Sequence, residues 1–166
     1  MRTGLTGLPP VVDGGTRVLV LGSMPGELSL HLQQYYAHPR NVFWRIMSEV
    51  VGFDAREYEQ RLAALRAAGI GLWDVLRTCD RAGSLDAAIV EGSMEPNDFD
   101  ALFARYPGIA RVFFNGGKAE QVFRRMVLPG LCVPVVCRRL PSTSPTNARY
   151  TFSAKLRAWR VGIDVG

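Results

Sequence analysis

RVLVLGSMPG, residues 17–26, sets the frame for the rest of the chain. Arg17 to Gly22 form a short, nearly continuous apolar run, the pattern of a strand buried on both faces of a parallel sheet. Two similar runs follow late in the sequence, ARVFFNG at 110–116 and LCVPVVC at 131–137, and IGLWDVL at 70–76 is a weaker fourth. Between them the apolar period becomes helical. Phe43, Met47 and Val50 share one face, as do Tyr58, Leu62 and Leu65, with the first helix opening near Pro39. Asn97 reads as an N-cap, with Asp98 and Asp100 in the first turn and Phe99, Leu102 and Phe103 facing inward. A helix over about 119–126 links the two late strands, and a last one over about 151–159 carries Phe152, Leu156 and Trp159. Strands alternating with helices predict an α/β domain around a mostly parallel sheet.

The 166 residues, 48% of them apolar, suffice for one core and are few for two. The prediction is one domain over 16–166, preceded over 1–15 by a poorly ordered, proline- and glycine-containing lead-in. No segment approaches the roughly 20 apolar residues that cross a bilayer, and the first fifteen residues lack the apolar core of a signal peptide. A cytoplasmic protein, in a bacterial-type cytosol or nucleoid, is expected. Cys79, Cys132 and Cys137 include no CxxC pair, so neither a disulfide framework nor a four-thiolate metal site is available, and reduced, buried thiols are expected.

Charge is unevenly distributed. Residues 1–110 carry ten Arg or Lys against thirteen Asp or Glu, a net of −3, whereas residues 111–166 carry ten against two, a net of +8. A basic region on a folded domain favours a polyanionic partner, because neutralising phosphates releases counterions. Eighteen of the twenty basic residues are Arg, which also serves on solvated helix faces, so charge alone leaves nucleic acid and a plain basic surface open.

Ligands of open parallel sheets collect at the carboxyl ends of the strands, and the least ordinary loops lie there. Gly22-Ser23-Met24-Pro25-Gly26 permits a sharp turn and close backbone approach to a ligand, though it also reads as a simple strand-to-helix turn. It lacks the Gly-Lys-Ser/Thr ending of a Walker loop and is not GxGxxG. Tyr35 to Trp44, YYAHPRNVFW, combines four aromatics with His38, Arg40 and Asn41, a mixture suited to a planar ligand: rings offer a stacking face, and an amide offers both a donor and an acceptor. Core packing is the alternative for Phe43 and Trp44, and a surface position for His38. Leu140 to Asn147, LPSTSPTN, follows Arg138 and Arg139 and precedes Arg149. Its hydroxyls and backbone N–H groups between prolines can hold phosphates. Asn115-Gly116-Gly117 ends a strand where an amide can read a base edge or simply form a turn.

In this order, GSMPG (22–26), YYAHPRNVFW (35–44), GLWDVLRTCDRAGSLDAAI (71–89), FFNGGKA (113–119) and LPSTSPTN (140–147) resemble the uracil-DNA glycosylase superfamily, and within it the hypoxanthine-DNA (deoxyinosine) glycosylase branch. The resemblance spans about Arg17 to Trp159. It implies a three-layer α/β/α fold around a four-stranded, mostly parallel sheet. It also implies that Asn41 positions the attacking water, Phe43 stacks on a flipped base and Asn115 bonds its edge. The backbone of Gly22, Ser23, Met24, Pro25 and Gly26 would line the pocket, while Ser142, Thr143 and Ser144 would hold the DNA backbone. Asn147, in the same loop, joins that set, and charge and position add Arg138, Arg139 and Arg149. Uracil-excising members carry an Asp in the first motif and a His heading the last; GSMPG and LPSTSP have neither, so no strong general base is apparent. Iron–sulfur branches use four cysteines, which excludes a cluster here, and no cofactor or metal is expected.

The expected reaction is hydrolytic release of a deaminated base from DNA: hypoxanthine first, uracil or xanthine next. It leaves an abasic site without a Schiff base to Lys118 or Lys155. Asp74, Asp80 and Asp86 are alternative acid–base candidates, with capping or salt bridging as their structural roles. Rival readings are a mismatch-specific uracil or thymine glycosylase, a non-catalytic DNA-binding module, and a small-nucleotide binder. A monomer is expected by analogy with other small repair enzymes.

Overall fold

The computed structural model describes residues 2–164. Its centre is a four-stranded parallel sheet in the order β3-β2-β6-β7, built from β2 (Val18–Gly22), β3 (Ile70–Asp74), β6 (Arg111–Asn115) and β7 (Val136–Leu140). Alternate side chains leave opposite faces of a strand, and both faces are covered. Leu19, Leu21, Val112 and Phe114 pack against Phe99, Leu102 and Phe103 of α4 (Phe99–Arg105) and Ala119 and Val122 of α5 (Gly117–Val122). Val18, Val20, Leu72 and Phe113 pack on the other side against α2 (Phe43–Met47), α3 (Tyr58–Ala67) and Trp159 of α6 (Phe152–Asp164). This is the expected three-layer arrangement. Each fully buried Leu or Phe contributes about 1.5–3 kcal/mol relative to exposure, and β2 is buried at all five positions.

The chain leaves β2 for β3 on one side and returns to β6 on the other. The carboxyl ends of β2 and β6 therefore flank the crevice where such sheets bind ligands. Beyond β3, β4 (Leu76–Arg81) pairs antiparallel with β1 (Arg2–Thr6) and the short β5 (Glu95–Pro96) in a second sheet. A short α1 (Glu27–Leu32) follows the glycine turn.

Several expectations are corrected. Of the lead-in expected to be loose over 1–15, the described residues 2–15 are tied down: β1 pairs with β4, Leu8 is buried, and the Tyr35 hydroxyl donates to the Pro9 carbonyl at 2.7 Å. The last strand begins at Val136, not within 131–135, because Pro134 has no N–H for a ladder; Arg138 and Arg139 fit instead on an edge strand facing solvent. Asp98, not Asn97, caps α4 by accepting the Ala101 N–H at 3.0 Å. Asn97 donates to the Asp74 carbonyl at 2.8 Å and so pins the end of β3. Of the thiols, Cys79 is buried, Cys137 half-buried and Cys132 exposed. Among the described residues no helix is long and apolar enough to cross a membrane, and no cluster of His, Cys, Asp or Glu could hold a metal.

Candidate active site at the carboxyl ends of the parallel strands

The Gly22–Gly26 turn is held from below by an arginine. Arg81, fully buried in β4, donates to the carbonyls of Met24 (3.4 Å), Pro25 (2.7 Å) and Gly83 (2.8 Å). A guanidinium presents five donors in a fixed fork, which suits it to fixing several carbonyls at once. Ser23 donates to Asp86, and Ser84 accepts the Glu27 N–H. Asp86 and Ser84 thereby anchor the turn from the facing loop. Gly22 has to lack a side chain, since a Cβ there would lie 2.5 Å from Asp74 Oδ1 and 3.5 Å from the Tyr36 hydroxyl.

The aromatic loop is equally constrained. Tyr35 is buried; its N–H bonds the Tyr58 hydroxyl and its carbonyl accepts the Trp44 indole N–H at 2.9 Å. Tyr36 then takes a left-handed backbone, φ 54°, uncommon for a bulky residue. That turn lays its ring on Phe43, with centroids 4.0 Å apart and planes at 29°. Phe43 is fully buried, edge-on to Trp44 and Trp159 on its other contacts. Asn41 is half-buried. Its Oδ1 accepts the Phe43 N–H at 3.0 Å, opening α2, and its own N–H bonds the His38 carbonyl. His38 is exposed, with Nδ1 accepting the Arg40 N–H.

Asn115 ends β6 facing the LPSTSPTN loop. Its Oδ1 accepts the Thr143 N–H and its Nδ2 donates to the Thr143 hydroxyl, both at 2.9 Å. Thr143 is fully buried, so its side chain serves this clamp and not the surface expected of a DNA contact. The Val42 N–H bonds the Thr143 carbonyl, which joins this loop to the Asn41 segment. Gly116 turns with φ +96° directly under Ser142. Ser142 Oγ accepts the Ser144 N–H, and Asn147 Nδ2 bonds the Ser142 carbonyl, so the loop is internally braced. Lys155, buried in α6, donates to the Ser144 carbonyl at 3.4 Å, and burial lowers its pKa.

Of the cations expected to meet phosphate, Arg138, Arg139 and Arg149 are all exposed. Arg139 lies 3.8 Å from Glu120, and Arg149 sits 6.0 Å over the Tyr150 ring. Lys118 is paired with Glu91, whose carboxyl Lys118 and Arg125 hold down to about 2. The three carboxylates separate clearly. Asp80 accepts the Gly4 N–H and so secures β1, and Asp86 accepts from Ser23. Asp74 alone is buried at the crevice, where burial first and then Asp86 push it up to about 7, against the pull of Arg81.

The structure thus brings Asn41, Phe43, Asn115 and the glycine turn to one end of the sheet and sets Ser142, Ser144 and Asn147 at its rim. Arg81 and Tyr36 carry roles that sequence reading missed. Aromatic content in 35–44 was the signal for Tyr36; nothing in the sequence marks Arg81.

Comparison with known proteins agrees with this fold. The sequence model of the uracil DNA glycosylase superfamily matches residues 9–161. A hypoxanthine DNA glycosylase of Methanosarcina barkeri is 42% identical over 125 residues, covering 72% of this chain and 78% of the relative. One of Methanosarcina acetivorans is 38% identical over 147 residues, covering 87% and 89%. The solution structure of a Methanosarcina acetivorans protein, described as a candidate uracil DNA glycosylase, superimposes with a TM-score of 0.79 at 34% identity over 95% of both chains. The chain belongs to the uracil DNA glycosylase superfamily, in the branch of the hypoxanthine DNA glycosylases.

Proposed function

We propose that this protein is a monofunctional DNA glycosylase of base-excision repair that hydrolyses the N-glycosidic bond of a deaminated base, hypoxanthine before uracil or xanthine. The observation that carries the reading is the convergence of Asn41, Phe43, Asn115 and the Gly22–Gly26 turn at one end of the sheet, in a chain whose relatives are named for this activity.

The bond to be cut is inaccessible in a stacked duplex, so the nucleotide is extruded into the crevice. Phe43 offers the stacking face, and the Tyr36 ring that covers it in the free protein gives way to the base. Backbone N–H groups of the Ser142–Asn147 loop, with Arg138, Arg139 and Arg149 around it, hold the flanking phosphates. Met24, Pro25 and Gly26, fixed by Arg81 and Ser84, wall the pocket. Asn115 has one N–H and one lone pair left for the base edge after clamping Thr143.

Asn41 Oδ1 has a second lone pair beyond the Phe43 N–H. It accepts a hydrogen bond from the attacking water and so aims the oxygen at the sugar carbon. The carbon–nitrogen bond breaks with its electron pair going to the base, the water oxygen bonds the carbon, and the released proton ends on the base. Positioning and fixed donors supply the catalysis. Lys118 is engaged by Glu91 and Lys155 by Ser144, which favours hydrolysis over a Schiff base.

The test is base release from duplexes carrying one deoxyinosine, deoxyuridine or deoxyxanthosine, with abasic sites revealed by alkali. Release from inosine without a borohydride-trapped adduct is expected. Activity confined to G:U or G:T pairs, binding without release, or saturable binding of free nucleotides would each replace the reading with one of its rivals.

A further inference from the structure

Two buried side-chain polar atoms lack a hydrogen-bond partner among the described residues, Tyr36 Oη and Asp74 Oδ2. Buried polar groups are nearly always paired, so each orphan calls for an explanation, and the two side chains that carry them meet at Gly22. A Cβ on Gly22 would fall 2.5 Å from Asp74 Oδ1, the other oxygen of that carboxyl, and 3.5 Å from the Tyr36 hydroxyl. Tyr36 Oη also faces the Asn115 side chain without reaching hydrogen-bond geometry. Asp74 and Tyr36 thus meet over the residue whose lack of a side chain leaves them room, with Asn115 beside Tyr36.

The Tyr36 ring supplies the geometry. It is a flat six-membered ring stacked on Phe43 with its one polar atom directed at Gly22, Asp74 and Asn115. A base taking its place on Phe43 puts an exocyclic oxygen where the hydroxyl now sits. A carboxylate facing that oxygen would repel it, whereas an un-ionised acid donates to it. No cation or N–H is bonded to Asp74 Oδ2, so burial disfavours the anion and only the charge of Arg81 acts the other way.

We propose that Asp74 is a catalytic residue that acts as an un-ionised acid, donating a hydrogen bond to the carbonyl oxygen of the flipped base. The inference rests on the glycosylase reading above. As the glycosidic bond breaks, negative charge spreads over the departing ring system and onto its carbonyl. A donor already in place strengthens as that charge develops. No proton transfer is needed, so Asp74 ends the cycle as it began. This use of a buried acid explains how a site with no Asp in its glycine turn and no His in its last loop stabilises the leaving group.

The groups around Asp74 are Tyr35 and Tyr36 of the aromatic loop, Arg81 of β4, and Asp86 of the facing loop. Burial is the largest influence, Asp86 acts in the same direction, and Arg81 opposes them, placing the titration at about 7. Activity therefore falls as pH rises through that value.

The experiment is single-turnover release of hypoxanthine from an inosine duplex by wild type, Asp74→Asn and Asp74→Ala across about two pH units either side of neutrality. Asn is a neutral donor of the same shape. Asp74→Asn is expected to stay within about tenfold of wild type and to lose the alkaline limb, while Asp74→Ala falls on the order of a hundredfold. A rate that rises with pH and is abolished in Asp74→Asn would overturn the proposal in favour of a carboxylate base. Equal rates for all three proteins would remove Asp74 from the reaction and leave the glycosylase reading standing. No release by wild type from any of the three deaminated bases would sink both. Should the variants fail to fold, carboxyl-carbon NMR of wild type bound to a non-cleavable inosine duplex decides. Titration of Asp74 at or above neutrality supports the proposal, and titration in the ordinary aspartate range overturns it.

Discussion

Replacing Asn115 with Ala separates two roles for that amide. In the structure it fills the gap between β6 and the last loop, bonding the Thr143 N–H and hydroxyl at 2.9 Å each. Thr143 is fully buried, so water cannot take over. Leaving a buried polar group unpaired costs about 1–3 kcal/mol. The Thr143 hydroxyl is free to rotate to another acceptor and the N–H is not, so the combined loss is about 2–4 kcal/mol. For a chain of this size each kcal/mol shifts Tm by about 2–4 °C, giving a drop of about 4–16 °C by calorimetry. A double-mutant cycle with Thr143→Val should show coupling of about 1 kcal/mol, the worth of the side-chain bond that both single changes break. A drop below about 2 °C with additive effects would refute the clamp. Asn115 would then be a base reader alone.

Gly22→Ala places a methyl against the Asp74 carboxyl and the Tyr36 hydroxyl; base release should fall at least about tenfold while affinity for an undamaged duplex, set by phosphate contacts, stays the same, as read by excision kinetics beside fluorescence anisotropy. Arg81→Met strips donors from the Met24, Pro25 and Gly83 carbonyls; amide exchange in 22–26 should quicken and the excision rate drop, whereas an unchanged loop would deny Arg81 its positioning role. Folding raises Asp74 from 3.8 to about 7, so its stabilising contribution is full in acid and is lost as pH climbs through about 7. The Tm advantage of Asp74→Asn over wild type should therefore grow between about pH 5 and about pH 8, and a parallel offset would contradict the burial assigned to Asp74.

What the sequence made legible depended on local pattern. RVLVLG declares a strand covered on both faces because every position after Arg17 is apolar or glycine, and the VFF of ARVFFNG does the same; both strands fell where expected. The clustering of glycine, amide and hydroxyl residues after those strands put the candidate site residues at the carboxyl ends of the sheet. Features that depend on distant partners were not legible. β1 was hidden by glycines and prolines around it, since its pairing with β4 lies more than seventy residues away. The register of β7 was misread because an apolar run drew attention from Pro134, while the true strand carries two solvent-facing arginines on a sheet edge. Thr143 was expected at a phosphate; only the fold shows its hydroxyl turned inward to Asn115, twenty-eight positions earlier. Arg81 reads as one more surface charge until three carbonyls are seen around it.

In the proposed reaction the Asn41 amide of HPRN directs water at a flipped, deaminated nucleotide. The most direct test compares wild type and Asn41→Ala on a duplex with one deoxyinosine, measuring single-turnover release and duplex affinity on the same preparations. Release by wild type, a loss of at least about a hundredfold in Asn41→Ala, and an unchanged dissociation constant are expected. Release by Asn41→Ala at the wild-type rate would contradict that role of Asn41.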